Sequence, residues 1–117
     1  MKKVMIVDDA LFMRASIKQM LEKNGFEVVG EATNGAEAVQ RYEEIRPDFI
    51  TMDITMPEMD GVAATRALVA IDPSCRILIV SAMGHESFVK ESILAGARNF
   101  IVKPFTEDAL LNAIAKL

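Results

Sequence analysis

The sequence predicts one α/β domain of five βα units, in which a parallel five-stranded sheet lies between two layers of helices as a three-layer sandwich. Three observations lead there. Short runs rich in Val, Ile, Leu, Met and Phe alternate along the chain with longer segments of helical period. The runs are apolar almost without a break, as in Val4-Met5-Ile6-Val7 and Ile77-Leu78-Ile79-Val80, the pattern of strands covered by helices on both faces. The units share no repeating sequence, so they form one wound domain rather than an array.

Residues 3–7 form the first strand, and the helix after it buries Ile17, Met20 and Leu21 on one face. Asn24-Gly25 ends that helix with a residue suited to left-handed backbone. The second strand, 27–32, leads through Asn34-Gly35, read as another left-handed turn, into a helix whose apolar face carries Ala36, Ala38, Val39 and Tyr42; Pro47 stops it. Strand three covers 49–52. Pro57 and Asp60-Gly61 supply turn chemistry before a helix that presents Val62, Thr65, Leu68 and Val69, and Pro73 lies beyond its end. Strand four is placed at 76–80, its helix presents Val89, Ile93 and Leu94, and Gly96 closes it. Strand five covers 99–102. Thr106 is the expected N-cap of the last helix, Glu107 and Asp108 favour its first turn through the helix dipole, and Leu110, Leu111, Ile114 and Leu117 make its stripe.

The 117 residues, 51% hydrophobic and 26% charged with a positive mean hydropathy, suffice for one core and leave no linker for a second domain, so residues 1–117 form a single unit. A chain this apolar offsets the entropy of ordering it and is not disordered. Its net charge of −4 offers no basic footprint to a polyphosphate backbone, which argues against nucleic acid as a partner. No uncharged stretch approaches the roughly 20 residues of a membrane span, and the apolar run after Met1-Lys2-Lys3 meets Asp8 and Asp9 too soon for a signal peptide. A single cysteine, Cys75, cannot form an internal disulfide, and a single histidine, His85, cannot build a His/Cys zinc site. The expectation is a monomeric, cytoplasmic protein in which Cys75 is inert and His85 is a solvent-exposed loop residue.

In open parallel sheets, ligands sit beyond the carboxyl ends of the strands. There the sequence places Asp8-Asp9 after the first strand, Asp53 after the third, Ser81 after the fourth and Lys103 after the fifth. Singly, each has an ordinary reading: the Asp pair as a helix cap, Asp53 as a turn residue, Ser81 as a common strand-end serine, Lys103 as a solvated lysine. Their coincidence at four strand ends of one sheet favours a site. Two carboxylates about 4 Å apart at an effective dielectric near 20 repel by about 4 kcal/mol, and Lys103 offsets only one of three negative charges. All the donors are oxygens, so the remaining charge calls for a hard divalent cation. A sparse set with room for waters and a phosphate oxygen favours Mg²⁺ over Ca²⁺. A carboxylate beside Mg²⁺ and a lysine is a nucleophile toward phosphorus, giving a mixed anhydride on the aspartate.

These residues resemble the receiver domain of bacterial two-component response regulators. The matching segments are Ile6-Val7-Asp8-Asp9, Met52-Asp53-Ile54-Thr55-Met56-Pro57-Glu58-Met59-Asp60-Gly61, Ser81-Ala82, Gly96-Ala97 and Lys103-Pro104-Phe105. With the βα alternation the resemblance covers the whole chain. The stretch 53–61, together with Ser81-Ala82-Met83-Gly84 and Phe100-Ile101-Val102-Lys103-Pro104-Phe105, is most similar to the stand-alone chemotaxis regulators of that family.

The resemblance implies a flavodoxin-like (βα)5 fold with strand order 2-1-3-4-5. It implies that Asp53 accepts a phosphoryl group from the phosphohistidine of a sensor histidine kinase of the chemotaxis (CheA-like) type. Asp9 and Asp53 would ligate Mg²⁺, for which Mn²⁺ can substitute, Asp8 would hold a metal-bound water, and the backbone carbonyl of Thr55 would be a third protein ligand. Lys103 and Ser81 would bind phosphoryl oxygens. Ser81 and Phe100 would form the switch, the ring turning inward as the hydroxyl moves toward the phosphate, although Phe100 also fits the part of an ordinary core aromatic. The best-known chemotaxis members carry a tyrosine there, so Phe100 lacks a hydroxyl that could contact a partner. A cis bond is expected at Lys103–Pro104. Thr55 and Met83 would flank the path of the hydrolytic water, and Met83 brings no hydrogen-bonding group, which points to modest self-dephosphorylation. Met13, Met56 and Met59 near the site fit an adaptable partner surface or, the favoured alternative, core fillers.

The implied function is a phosphorylation-controlled phosphorelay module and not an enzyme: it mediates only its own aspartyl phosphorylation and dephosphorylation. With the chain ending at the fifth helix, the output is expected to be a protein contact through the fourth helix, fifth strand and fifth helix, with the flagellar motor switch protein as target. A phosphorelay carrier, a phosphate sink or the receiver of a longer regulator would have the same fold and site, and the sequence leaves these open. A Mg²⁺-dependent phosphatase with an aspartyl-phosphate intermediate is disfavoured because no cap insertion or long loop shapes a substrate pocket. A flavodoxin-like cofactor binder would need a Ser/Thr/Gly phosphate loop where Asp8-Asp9 stands.

Overall fold

In the computed structural model, which describes residues 2–82, 84 and 86–117, strands and helices alternate without exception. They are β1 (Lys3–Val7), α1 (Leu11–Lys23), β2 (Glu27–Ala32), α2 (Gly35–Ile45), β3 (Phe49–Met52), α3 (Gly61–Ile71), β4 (Ile77–Ser81), α4 (Glu86–Ala95), β5 (Asn99–Val102) and α5 (Glu107–Ala115). Every strand pair is parallel, in the order β2-β1-β3-β4-β5. The direction of winding reverses between β1 and β3, where Val7 pairs with Met52, so a crevice opens just beyond those two residues.

The near-continuous apolar runs are explained by burial on both sides. Met5, Val7, Ile50, Met52, Ile77 and Ile79 meet Ala38 and Tyr42 of α2 and Ala64 and Leu68 of α3. Their neighbours Val4, Ile6, Phe49, Leu78 and Val80 meet Ile17 and Leu21 of α1 and Leu110 and Ile114 of α5. Each such aliphatic side chain contributes about 1.5–3 kcal/mol by leaving water, so the central strands are the most firmly held part of the molecule. Met56 is buried, and Met13 and Met59 pack half-buried against the two core clusters, which is the core-filler arrangement.

Several expectations need correction. β4 runs one residue later than 76–80: Arg76 is exposed ahead of it, and Ser81 pairs with Val102 at its end. Asn34-Gly35 is not a left-handed turn but a helix start, because the Asn34 side chain accepts the N–H of Glu37, while Glu37 in return accepts the N–H of Thr33. Positive φ angles occur at Gly25 (87°) and Gly96 (116°), as expected, and also at Arg46 (47°) and Glu58 (66°). Ala36 is exposed. Ile93 and Leu94, expected on the inner face of α4, are 46% and 77% exposed; Ser92 and Ala95 are buried in their stead, with Phe88 half-buried. The Ser92 hydroxyl is accommodated because it donates to the Phe88 carbonyl one turn back. Thr106 caps α5 as expected, accepting from the Ala109 N–H. Among the described residues, no helix is long and apolar enough to cross a membrane.

Candidate functional site

Three carboxylates meet at the mouth of the crevice. One oxygen from each of Asp8, Asp9 and Asp53 lies within 4.8 Å of the other two. The ladder itself places them: the Asp8 N–H donates to Ala32 of β2 at 3.0 Å, and the Asp53 N–H donates to Val7 of β1 at 3.0 Å, so each is the first residue past its strand. Asp8 is buried, Asp53 is 8% exposed and Asp9 is exposed.

Asp8 is fully engaged by the protein. Its Oδ1 accepts the N–H of Ala10 at 2.9 Å, its Oδ2 accepts from Lys103 Nζ at 2.7 Å, and its backbone carbonyl accepts from Arg14 Nη1 at 2.7 Å. Asp53 Oδ1 accepts the N–H of Ile54 at 2.9 Å and lies 3.7 Å from Lys103 Nζ. Asp9 makes no hydrogen bond or ion pair with the described residues. Burial pushes the Asp53 carboxyl above its usual range; Lys103 works against this, and Asp8 and Asp9 reinforce it.

The loop after Asp53 is shaped by one close approach. The Gly61 N–H donates to the Ile54 carbonyl at 2.8 Å, and a Cβ at Gly61 would fall inside contact distance of the Asp53 carbonyl oxygen. Only glycine fits there. Asp60 then starts α3 by accepting the Ala63 N–H, so the loop is anchored at both ends. Thr55, within it, is exposed.

The structure thus brings together Asp8, Asp9, Asp53 and Lys103. Ser81 is buried at the end of β4, and its carbonyl accepts the Lys103 N–H at 2.9 Å, tying the two strand ends to one another. The Lys103–Pro104 peptide is cis. Phe100 is half-buried against the core cluster of α2 and α3. Met83 and His85 lie outside the described residues. Sequence reasoning passed over Arg14 and its partner Glu31; the available signal was an arginine in the first turn of α1, five residues after Asp9, and a glutamate near the end of β2.

The donor set suits a hard cation. It holds only oxygens, carries excess negative charge that one lysine does not balance, and includes an exposed carboxylate with no partner among the described residues.

The profile of the response regulator receiver domain family matches residues 4–115. The chain is 58% identical over 114 residues to the chemotaxis protein CheY of Bacillus subtilis (strain 168), covering 97% of this chain and 95% of that protein. It is 53% identical to the CheY of Thermotoga maritima, covering 99% and 97%. Among solved structures it is similar to the CheX–CheY–BeF3–Mg²⁺ complex from Borrelia burgdorferi, with a TM-score of 0.94, 36% identity, and coverage of 97% of this chain and 86% of that one. It is also similar to Vibrio cholerae chemotaxis protein CheY4, with a TM-score of 0.91, 30% identity and coverage of 100% and 99%.

Proposed function

The chain belongs to the response regulator receiver domain family, and on that premise we propose that Asp53 takes a phosphoryl group from the phosphohistidine of a chemotaxis sensor kinase and thereby switches a partner-binding face. The protein is a phosphorelay response regulator of chemotaxis. What carries the assignment of its site is the gathering of Asp8, Asp9 and Asp53 within 4.8 Å beside Lys103.

Asp9 and Asp53 would hold Mg²⁺ directly, with Mn²⁺ as a substitute, and the Thr55 carbonyl would be the third protein ligand. Asp8 would act through a water, because both of its carboxylate oxygens already accept protein hydrogen bonds. When bound, the ion supplies positive charge to the oxygens of the arriving phosphoryl group. An Asp53 carboxylate oxygen attacks phosphorus, the P–N bond to the donor imidazole breaks, and the imidazole keeps the electron pair and takes a proton from water. Lys103 leaves Asp8 for a phosphoryl oxygen, and the Ser81 hydroxyl donates to another. Movement at Ser81 makes room for the Phe100 ring, and Thr55 and Met83 flank the water that later removes the phosphoryl group. Acceptance and loss both take place on Asp53, so the chain mediates only its own phosphorylation and dephosphorylation.

The output face would be α4, β5 and α5. Ile93, Leu94 and Val102 leave apolar side chains exposed along α4 and β5, which suits a protein target such as the flagellar motor switch protein.

Intact-mass spectrometry after incubation with phosphoramidate and Mg²⁺ tests this. One added phosphoryl group on the wild-type chain is expected, absent from Asp53→Asn and from a sample with EDTA. An adduct that persists in Asp53→Asn, or no adduct while calorimetry shows Mg²⁺ bound, would overturn the assignment of Asp53.

A further inference from the structure

Asp9 is the exposed member of the acidic trio and has no side-chain partner among the described residues, so its direction depends on the backbone that carries it. That backbone is held on its following side by the Ala10 N–H, which donates to the carboxylate of Asp8, and on its preceding side at the Asp8 carbonyl. A peptide unit is planar, so fixing the Asp8 C=O also fixes the Asp9 N–H and narrows the directions its side chain can take. The group that fixes it is Arg14, whose Nη1 donates to the Asp8 oxygen at 2.7 Å.

Arg14 is itself held. Its Nε donates to Glu31 Oε1 at 3.1 Å, its side chain is 11% exposed, and the Glu31 carbonyl is in turn bonded by Arg41. The guanidinium therefore bridges β2 to the turn after β1, with two N–H groups at fixed angles engaging two acceptors. At the start of α1, Ala10 has no side-chain cap, the Asp8 carboxylate takes the Ala10 N–H, and the Arg14 N–H closes on the Ala10 carbonyl at 3.0 Å. Asp8, Ala10 and Arg14 thus form one closed set of hydrogen bonds around the peptide that carries Asp9.

We infer that Arg14 is a positioning residue for the acidic site: through the Asp8 carbonyl it aims the Asp9 carboxylate toward Asp53. The inference rests on the assignment of the trio as a Mg²⁺ site. A charge effect and a positioning effect have opposite signs here. Removing a cation near three carboxylates lowers the repulsion that an incoming Mg²⁺ feels, and by charge alone would tighten binding. Losing the anchor of Asp9 weakens it.

The test is calorimetric titration of the full chain with Mg²⁺ alone, for wild type, Arg14→Met and Arg14→Lys, together with amide hydrogen exchange at Asp9 in metal-free protein. Both variants are expected to bind Mg²⁺ about tenfold more weakly or worse, as for other groups that orient metal ligands, and to exchange the Asp9 amide faster. Arg14→Lys keeps the charge but lacks the planar fork that engages the two acceptors at fixed angles, so its loss separates geometry from charge. Unchanged or tighter Mg²⁺ binding in either folded variant would overturn the role of Arg14 while leaving the site assignment intact. If Arg14→Met fails to fold, Arg14→Lys decides alone by the same criteria. A wild-type chain that takes up no Mg²⁺ would remove the site assignment and the inference with it.

Discussion

The ammonium of Lys103 is paired with Asp8, 2.7 Å from its Oδ2, and stands 3.7 Å from Asp53. The cation that would meet a phosphoryl group is thus stored on the neighbouring carboxylate. Storage there leaves Asp53 only partly compensated, which agrees with a carboxyl that burial raises and Lys103 fails to restore to its usual range.

Lys103→Met should therefore separate metal binding from phosphoryl capture. Losing one partner of a buried pair destabilises a protein by about 3–5 kcal/mol, and Asp8 is 2% exposed, so metal-free Lys103→Met should unfold at clearly lower denaturant. Mg²⁺ should bind it more tightly, since a competing cation is gone, while the yield of Asp53 adduct falls. Calorimetry and intact mass on the same sample check both; weaker Mg²⁺ binding would show that Lys103 organises the site and does not merely compete in it.

Asp53→Asn should stabilise the metal-free protein. A carboxyl whose pKa is raised on folding contributes no penalty below its unfolded value near 3.9, and an increasing one as pH rises through the folded value. The advantage of Asp53→Asn over wild type is thus expected to be absent below about pH 4, to open through the acid range and to be full at neutral pH. Mg²⁺ should narrow it by stabilising the wild type alone. Urea unfolding at acid and neutral pH, with and without Mg²⁺, gives the comparison; an advantage that is largest in acid would contradict the assigned cause.

Gly61→Ala should be far more damaging than Gly25→Ala. At Gly25 the φ of 87° disfavours a side chain but nothing lies within 4 Å, so the loss should be about 1–2 kcal/mol. At Gly61 an added methyl meets the Asp53 carbonyl, which is backbone and cannot rotate away. The loop must move, and with it the Ile54 N–H that holds the Asp53 carboxylate. Mg²⁺ affinity should drop in Gly61→Ala and stay unchanged in Gly25→Ala, as titration of the two variants would show.

The parallel sheet and the strand-end acids were legible because they are set by local pattern: an apolar run followed at once by Asp, Ser or Lys. Less legible were features set by what packs later. Ile93 and Leu94 continue the helical period of α4, yet α4 covers the sheet with the small residues Ser92 and Ala95 and leaves its larger side chains outside. Asn34 suits both a left-handed turn and an N-cap, and only the partner Glu37 decides between them. Arg14 carries no motif of its own; its meaning comes from Glu31 and the Asp8 carbonyl, on two other elements.

Thr51→Val should raise stability. Thr51 sits in the middle of the sheet between Ile6 and Leu78, fully buried, and its Oγ1 has no hydrogen-bond partner among the described residues. Valine keeps the shape and removes the unpaired hydroxyl, so a gain of about 1 kcal/mol or more is expected. A higher urea midpoint at an unchanged slope would show it; a lower midpoint would mean that the hydroxyl holds a buried water.

At the amino ends of the strands, opposite the acidic crevice, Asp72 is held by a second cluster whose loss should leave the site untouched. Its Oδ1 accepts from the Ser74 hydroxyl at 2.7 Å and the Ser74 N–H at 3.0 Å, and its Oδ2 accepts from the Tyr42 hydroxyl at 2.7 Å. The Ser74 hydroxyl first, then Tyr42, hold the carboxyl down at about 2. A depressed carboxyl stabilises the fold above its unfolded value near 3.9, and that contribution is lost as pH falls through about 2. In Tyr42→Phe one of those donors is gone, so the Asp72 carboxyl should titrate at higher pH, and acid unfolding should begin earlier. Carboxyl-carbon NMR across an acid titration reads the first and circular dichroism the second. Mg²⁺ affinity should match wild type, because no group of this cluster reaches the crevice between β1 and β3; a change would mean that the two edges of the sheet are coupled through α2 and α3.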